Sequence, residues 1–206
     1  MVQQGDHERV NVFVDGVFAL GVSIYVVQDL GLRKGQVLSQ ADWDRLEAAE
    51  QGSRAWNAAL RLLESRPRTE RELRDRLRRK GFPPPQIDTV LNRLRELNLL
   101  DDAQFARLWI ANRQHISPRG AQGLRQELRA RGVDRQVVDE IIAEQTDADS
   151  ERAACEAVAR KAARRYADAP DRATFQRKLG GYLLRRGFSF ETIKPIVDRL
   201  WNEIRG

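Results

Sequence analysis

The sequence predicts a mainly α protein: a tandem array of three three-helix units, elongated and curved, behind a small N-terminal extension of one β-hairpin and a helix. Three observations carry this. Leucine, leucine and glycine recur at four-residue spacing: Leu73, Leu77, Gly81; Leu124, Leu128, Gly132; Leu179, Leu183, Gly187. After each glycine, apolar residues follow at a helical period. From Gly52 onward the punctuation is that of helix caps and stops, whereas residues 1–52 hold valine-rich runs split by Asp15-Gly16. The expected segments are 1–52 (hairpin and helix), 53–98, 99–147 and 148–206.

Asp-Gly between two apolar runs is the strongest short hairpin signal, because both residues tolerate positive φ. Strands are expected near 9–15 and 17–23; residues 24–32 either continue the second strand or start a short helix. Ser39 is a good N-cap, with Asp42 in the first turn, for a helix through about Gln51. An isolated hairpin is marginal, so this unit has to pack on a helix.

The first unit opens with a helix carrying Trp56, Ala59, Leu60 and Leu63. Pro67 stops it, and Thr69 with Glu72 forms a capping box for the next. That helix buries Leu73 and Leu77 and ends at Gly81, where a left-handed residue suits the turn. Prolines 83–85 start a third helix carrying Ile87, Val90, Leu91 and Leu94. The matching positions are Val138, Ile141, Ile142 and Gln145 in the second unit, and Ile193, Ile196, Val197 and Leu200 in the third. The intervals of 51 and 55 residues exceed the ~34 residues of two-helix repeats and suit three helices. Asp101 or Asp102 caps a helix carrying Phe105, Leu108, Trp109 and Asn112. An alanine-rich helix from about Asp149 to Tyr166 presents Ala154, Val158, Ala162 and Tyr166. Pro195 is tolerable only if the last helix starts near Glu191. Trp56, Trp109 and Trp201 read as core, Trp43 as half exposed.

Composition narrows the function. The chain carries 36 basic and 30 acidic residues. Residues 1–52 hold 4 basic and 8 acidic, and residues 53–206 hold 32 and 22, so positive charge belongs to the repeats. Arginine makes up 31 of the basic residues, which suits bidentate contacts to phosphate or carboxylate. A GC-rich genome, which favours arginine codons, accounts for the same excess. No run of ~18 apolar residues spans a membrane, and the N-terminus lacks a signal-peptide core; the expectation is a cytoplasmic protein. Cys155 is the single cysteine and reads as a small buried helix residue. His7 and His115 stand far apart. No phosphate loop, nucleophile elbow or metal-ligand spacing occurs, so no catalytic, cofactor or metal residues are expected.

Each repeated glycine follows a cation: Lys80, Arg131 and Arg186. The helix dipole favours a cation in the last turn by ~0.3–1 kcal/mol, which explains all three without a ligand. Arg74 and Arg78, and their equivalents Arg125 and Arg129, form a basic stripe that the third unit replaces with Gly180 and Leu184. Such a stripe is either a solvated face or a contact for an acidic partner or phosphate backbone.

From Trp56 to Ile204 the chain resembles the RecX regulatory proteins, which act on the bacterial recombinase RecA. The matching pieces are ALRLLESRPRTERELRDRLRRKGF, LLDDAQFARLWIANR, GLRQELRARGV and KLGGYLLRRGF with its following helix. The D-D-x-x-F-A box and the closing L-x-R-R-G-F are the most specific, and the N-terminal region is similar to an extension found in some members. Ala121-Gln122-Gly123 departs from the pattern, which has a more basic run there. The resemblance implies a monomeric, non-enzymatic regulator without cofactor that lies in the groove of the RecA–DNA filament and inhibits strand exchange and ATP hydrolysis. DNA would be met weakly or through the filament. The implied contacts are Arg74, Arg78, Arg125 and Arg129, with Lys80, Arg131 and Arg186 beside them. The alternatives are a stand-alone helix-turn-helix DNA-binding protein and a purely structural adaptor. Acidic third helices, as in DRQVVDEII, speak against the former.

Overall fold

The computed structural model describes residues 2–3 and 6–205, with side chains from Glu8 onward. The side chain of His7 lies outside the described residues. Three strands, β1 (Val2–Gln3), β2 (Asp6–Val14) and β3 (Val17–Ser23), form one antiparallel sheet in the order β1-β2-β3. The expected hairpin is therefore present, with a short third strand beside it. Asp15 and Gly16 take φ of 49° and 81°, the positive pair that a two-residue turn needs. Ten α-helices follow among the described residues: α1 (Ile24–Asp29), α2 (Gln40–Ser65), α3 (Glu70–Arg79), α4 (Pro84–Glu96), α5 (Asp102–Ile116), α6 (Ala121–Ala130), α7 (Arg135–Gln145), α8 (Ala148–Ala163), α9 (Arg172–Arg185) and α10 (Phe190–Arg205).

The chain divides into two compact units. One holds residues 1–67 and 73–99, the other residues 68–72 and 100–206. In the first, the sheet lays Val22 on Val26 and Leu46, with Val10, Val12 and Leu20 around them. Glu50 ties sheet to helix. It is buried on α2 and accepts from Arg9 Nη2 at 2.6 Å and from the Ser23 backbone N–H at 2.8 Å. Ser39 and Asp42 close a reciprocal capping box at the start of α2. That helix does not end near Gln51 as expected. A strong cap and continuous packing carry it through Gly52, whose cost in a helix interior is only ~1 kcal/mol.

The buried stripe of α2 also differs from expectation. Ala59 is buried as expected, with Ala55 and Ala58, while Trp56, Leu60 and Leu63 lie at the rim. Small side chains sit where α2 comes closest to its neighbours, and the bulky ones line the edge. The same shift occurs on α5: Phe105, Ala106 and Ile110 are buried, Trp109 is half-buried and Leu108 is exposed. The third helix of every unit is as read: Ile87, Val90, Leu91 and Leu94; Val138, Ile141 and Ile142; Ile193, Ile196, Val197 and Leu200 are all buried. Cys155 sits in the α8–α10 core, where burial pushes its thiol up to about 12, with Glu151 and Glu156 adding to the shift. Helix α10 starts at Phe190, one residue before the expected point, and takes Pro195 in its second turn. Ser189 caps it by accepting from the Thr192 N–H at 3.1 Å.

All three repeated glycines take a left-handed φ, 87° at Gly81, 89° at Gly132 and 81° at Gly187. Each turn carries the same two bonds. Phe82, Val133 and Phe188 donate back to Leu77, Leu128 and Leu183, while the glycine N–H donates to Arg78, Arg129 or Leu184. This is the Schellman arrangement, which satisfies the last helical carbonyls. In the second compact unit these turns are also joints. The Arg186 carbonyl accepts from the Gly120 N–H at 3.1 Å, and a Cβ on Gly187 would overlap the Gly123 backbone nitrogen. The Arg131 carbonyl accepts from the Thr69 hydroxyl at 2.7 Å, and a Cβ on Gly132 would overlap the Arg71 side chain. Gly81 meets nothing within 4 Å.

Capping assigns different work to neighbouring aspartates. Asp101 caps α5, accepting from Ala103 and Gln104. Asp102 accepts from the Glu70 N–H at 2.9 Å and so caps α3 from a distance. Burial raises the Asp102 carboxyl above its ordinary 3.8, against the Glu70 hydrogen bond that lowers it.

Two outcomes follow. Gly81→Ala should cost ~1–2 kcal/mol from its left-handed φ alone. Gly187→Ala should cost at least ~3 kcal/mol, because the joint must also open. Urea denaturation separates them, and equal losses would contradict the packing role. For Asp102, a raised pKa means the charged native form is disfavoured, so wild-type stability drops as pH rises through the window just above 3.8. Asp102→Asn keeps the acceptor without the charge. It should match or exceed the wild type at pH 7, with the difference vanishing below that window. Asp102→Ala should lose ~1 kcal/mol with the cap. Thermal melts across pH check the sign.

Candidate partner-contact surface

The expected stripe is present but largely neutralised within each unit. Arg74 on α3 pairs with Asp88 on α4, and Arg78 lies 3.8 Å from Asp75. Arg125 and Arg129 on α6 reach Asp139 on α7 at 3.0 and 3.3 Å, and Arg135 joins the same carboxylate at 3.6 Å. Desolvation works against ionisation of Asp139, yet the three arginines hold its carboxyl below the usual range. Both pairs span fourteen residues, at equivalent repeat positions. The second unit thus presents three guanidinium groups around one carboxylate.

The cations before the glycines separate into two kinds. Lys80 is exposed at the end of α3 and makes no ion pair among the described residues. Arg131 and Arg186 are engaged at the joints. Arg131 stacks 3.8 Å above the Trp109 ring and bonds Glu72 at 2.7 Å. Arg186 donates to the Ser117 hydroxyl at 3.2 Å and the Pro118 carbonyl at 3.4 Å, over the Tyr182 ring. The tryptophans expected in the core are half-buried, each beneath an arginine: Arg93 over Trp56, Arg113 and Arg131 over Trp109, Arg205 over Trp201. An indole has too large a ring to bury fully in a small unit, and a guanidinium covers its face without losing water at its edge.

One hub escaped the sequence reading. Glu127 on α6 accepts from Trp109 Nε1 at 2.9 Å and Arg113 at 2.8 Å, and pairs with Arg119 at 2.6 Å. The four-residue step from Trp109 to Arg113 places both on one face of α5 and was the available signal; Arg119 and Glu127 meet it only through the fold. Among the described residues no group of three His, Cys, Asp or Glu side chains could hold a metal ion, and no helix is long and apolar enough to cross a membrane.

Four segments of this chain match one family in order: Regulatory protein RecX N-terminal domain at residues 1–39, then the RecX first, second and third three-helix domains at 55–94, 101–142 and 149–197. The chain belongs to the RecX family. The family's regulatory protein RecX from Levilactobacillus brevis is 38% identical over 192 residues, covering 93% of this chain and 71% of the relative. That of Bacillus subtilis is 29% identical over 202 residues, covering 96% and 74%. A crystal structure of regulatory protein RecX aligns with a TM-score of 0.81 at 26% identity, over 95% of each chain. RecX from Lactobacillus salivarius aligns with a TM-score of 0.67 at 28% identity, over 74% of this chain and 97% of that one. The N-terminal sheet is thus part of the family pattern, along with the three helical units.

The Asp139 cluster supplies a test of local charge. Asp139→Asn leaves three arginines without their shared counter-ion, so the variant should elute from a heparin column at higher salt than the wild type. Arg125→Ala should elute earlier. No displacement in either direction would mean that this face does not meet polyanions.

Proposed function

We propose that this protein is a non-enzymatic regulator that binds the RecA–DNA filament in the cytoplasm and inhibits strand exchange and ATP hydrolysis. The observation that carries the reading is membership of the RecX family along the chain, from the N-terminal domain through all three helical domains in order. The side-chain chemistry agrees with it. The conspicuous chemistry of the described residues is arginine held at defined positions by carboxylates and aromatic rings, as at Asp139 and Trp109. Such preorganised guanidinium groups suit recognition of carboxylate or phosphate surfaces, because little side-chain entropy remains to be lost on binding.

In this reading the partner is the filament, with DNA met weakly or through it, and the regulator acts as a monomer. Arg74, Arg78, Arg125, Arg129 and Lys80 are its candidate contacts. Arg131 and Arg186 contribute by holding the units in place.

The purified protein should lower RecA ATP hydrolysis at substoichiometric amounts, because one regulator can affect a filament of many subunits. The effect should weaken with added salt, since the contacts are exposed charges. Unchanged hydrolysis with the regulator in excess, at low salt, counts against the proposal.

A further inference from the structure

The quartet of positions that carries the ion cluster in the second unit has changed character in the third. In the second unit the four are Arg125, Arg129, Arg135 and Asp139, the three arginines lying within 3.6 Å of the one carboxylate. Shifted by the repeat interval of 55 residues, they become Gly180, Leu184, Phe190 and Lys194. Gly180 packs toward α10: a Cβ there would lie 3.9 Å from Ile193, the residue before Lys194. The exchange is concerted. Where the arginine of the buried-side pair is lost, its aspartate partner is also lost, and the remaining two arginines are replaced by apolar side chains. Leu184 is 50% exposed and Phe190 64% exposed. Lys194 is exposed and makes no ion pair among the described residues, because the acid one turn on, Asp198, is held by Arg172 and Gln176. Residues 172–195 hold six basic side chains and one acidic, Glu191.

We propose that this face of α9 and α10 is a docking surface for a protein that presents an apolar side chain beside a carboxylate. The proposal deepens the filament-binding reading and rests on it: the third unit, not the paired stripe of α6 and α7, makes the contact that sets affinity. Charge and polarity together select the occupant. Lys194 and the basic stretch around it call for an acidic surface, since an exposed cation without an ion pair has Coulomb energy to gain and only a longer-range attraction to Asp198 to give up. Leu184 and Phe190 call for an apolar one, because a phosphodiester backbone has nothing to take them out of water. A nucleic acid would satisfy the lysine and leave the apolar pair wet. In the second unit the arginines have Asp139 already, so a partner there must compete with it.

The test uses the full-length chain and two variants, Leu184→Gln with Phe190→Gln, and Lys194→Glu. All three positions are exposed, and melting curves verify folding; if the apolar pair lowers the melting temperature, Lys194→Glu still reads the face. Binding is measured to RecA filaments on a single-stranded oligonucleotide and, separately, to the bare oligonucleotide. The expected result is at least tenfold weaker filament binding by both variants with unchanged binding to the bare strand. Equal loss on the bare strand would assign the face to nucleic acid and overturn the proposal. Wild-type filament affinity in both variants would overturn it too, leaving the filament reading intact. A wild type that does not bind filaments fails that reading and this inference with it. A wild-type dimer in sedimentation that Leu184→Gln with Phe190→Gln breaks would assign the face to a second copy, which also overturns it.

Discussion

A helix that ends inside a protein leaves carbonyls without partners, and much of this structure follows from how three such ends are settled. At Gly81, Gly132 and Gly187 a left-handed residue turns the chain back on itself, so that two amide N–H groups point at the last carbonyls. The carbonyl just before the glycine is then free to accept from elsewhere. At Arg131 it takes the Thr69 hydroxyl, and at Arg186 the Gly120 N–H, two positions that correspond in the repeat. A residue with a Cβ could not come so close. At these two joints the glycine performs two tasks with one property: it adopts the positive φ, and it lets a neighbour approach, the Gly123 backbone at Gly187 and the Arg71 side chain at Gly132.

This explains what could be read from the sequence. The leucine steps, glycine stops and post-glycine stripes are local and periodic, so Leu73, Leu77, Ile87 and Val90 were placed by spacing alone. So were the cap at Ser39, the pair Asp101 or Asp102 before α5, and the hairpin turn at Asp15-Gly16. What was not legible depends on partners far along the chain. Glu50 resembles any helical glutamate until the fold brings it Arg9 and the Ser23 N–H. Asp102 resembles a second cap for α5 until Glu70 arrives. Trp56 and Trp109 follow a core period, yet sit one step off the buried line because alanines occupy the closest contacts. Periodicity gives the face of a helix to within a residue; it does not say which residue of that face touches the neighbour.

The candidate surface was legible to the same degree. Spacing placed Arg74 and Arg78, and Arg125 and Arg129, on the side of their helices away from the leucines, where Arg78 and Arg129 are exposed and Arg74 and Arg125 half-buried. Their partners were out of reach, because Asp88 and Asp139 come from the next helix across the glycine turn. Exposed pairs of this kind are worth ~0–1 kcal/mol each. Their stronger effect is on direction. Asp139 gathers three guanidinium groups that would otherwise sample many rotamers. The Glu127 hub is different in kind, since its carboxylate is mostly shielded and one of its donors is an indole. Removing such an acceptor would strand several donors at once, so Glu127 fixes the position of Trp109 and of the arginines stacked on it.

The helices that flank the glycines thus carry two sets of residues with opposite freedom. One set, the leucines and the glycine, is bound by the turn in every unit, and in the second and third the carbonyl before the glycine is bound by a joint as well. The other lies off the leucine line on the two helices that flank the turn, and it is here that the second and third units part. An arginine–aspartate quartet in the second unit becomes glycine, leucine, phenylalanine and lysine in the third with the turn geometry kept. Stability cannot be the reason for putting leucine and phenylalanine in water, for exposure gains them nothing and the lost ion pairs were worth little. A water-facing apolar pair with a cation that makes no ion pair is the composition that the proposed docking surface calls for. The repeat supplies the frame, and the positions that the frame leaves unconstrained are where one unit can acquire a binding role that its neighbours lack.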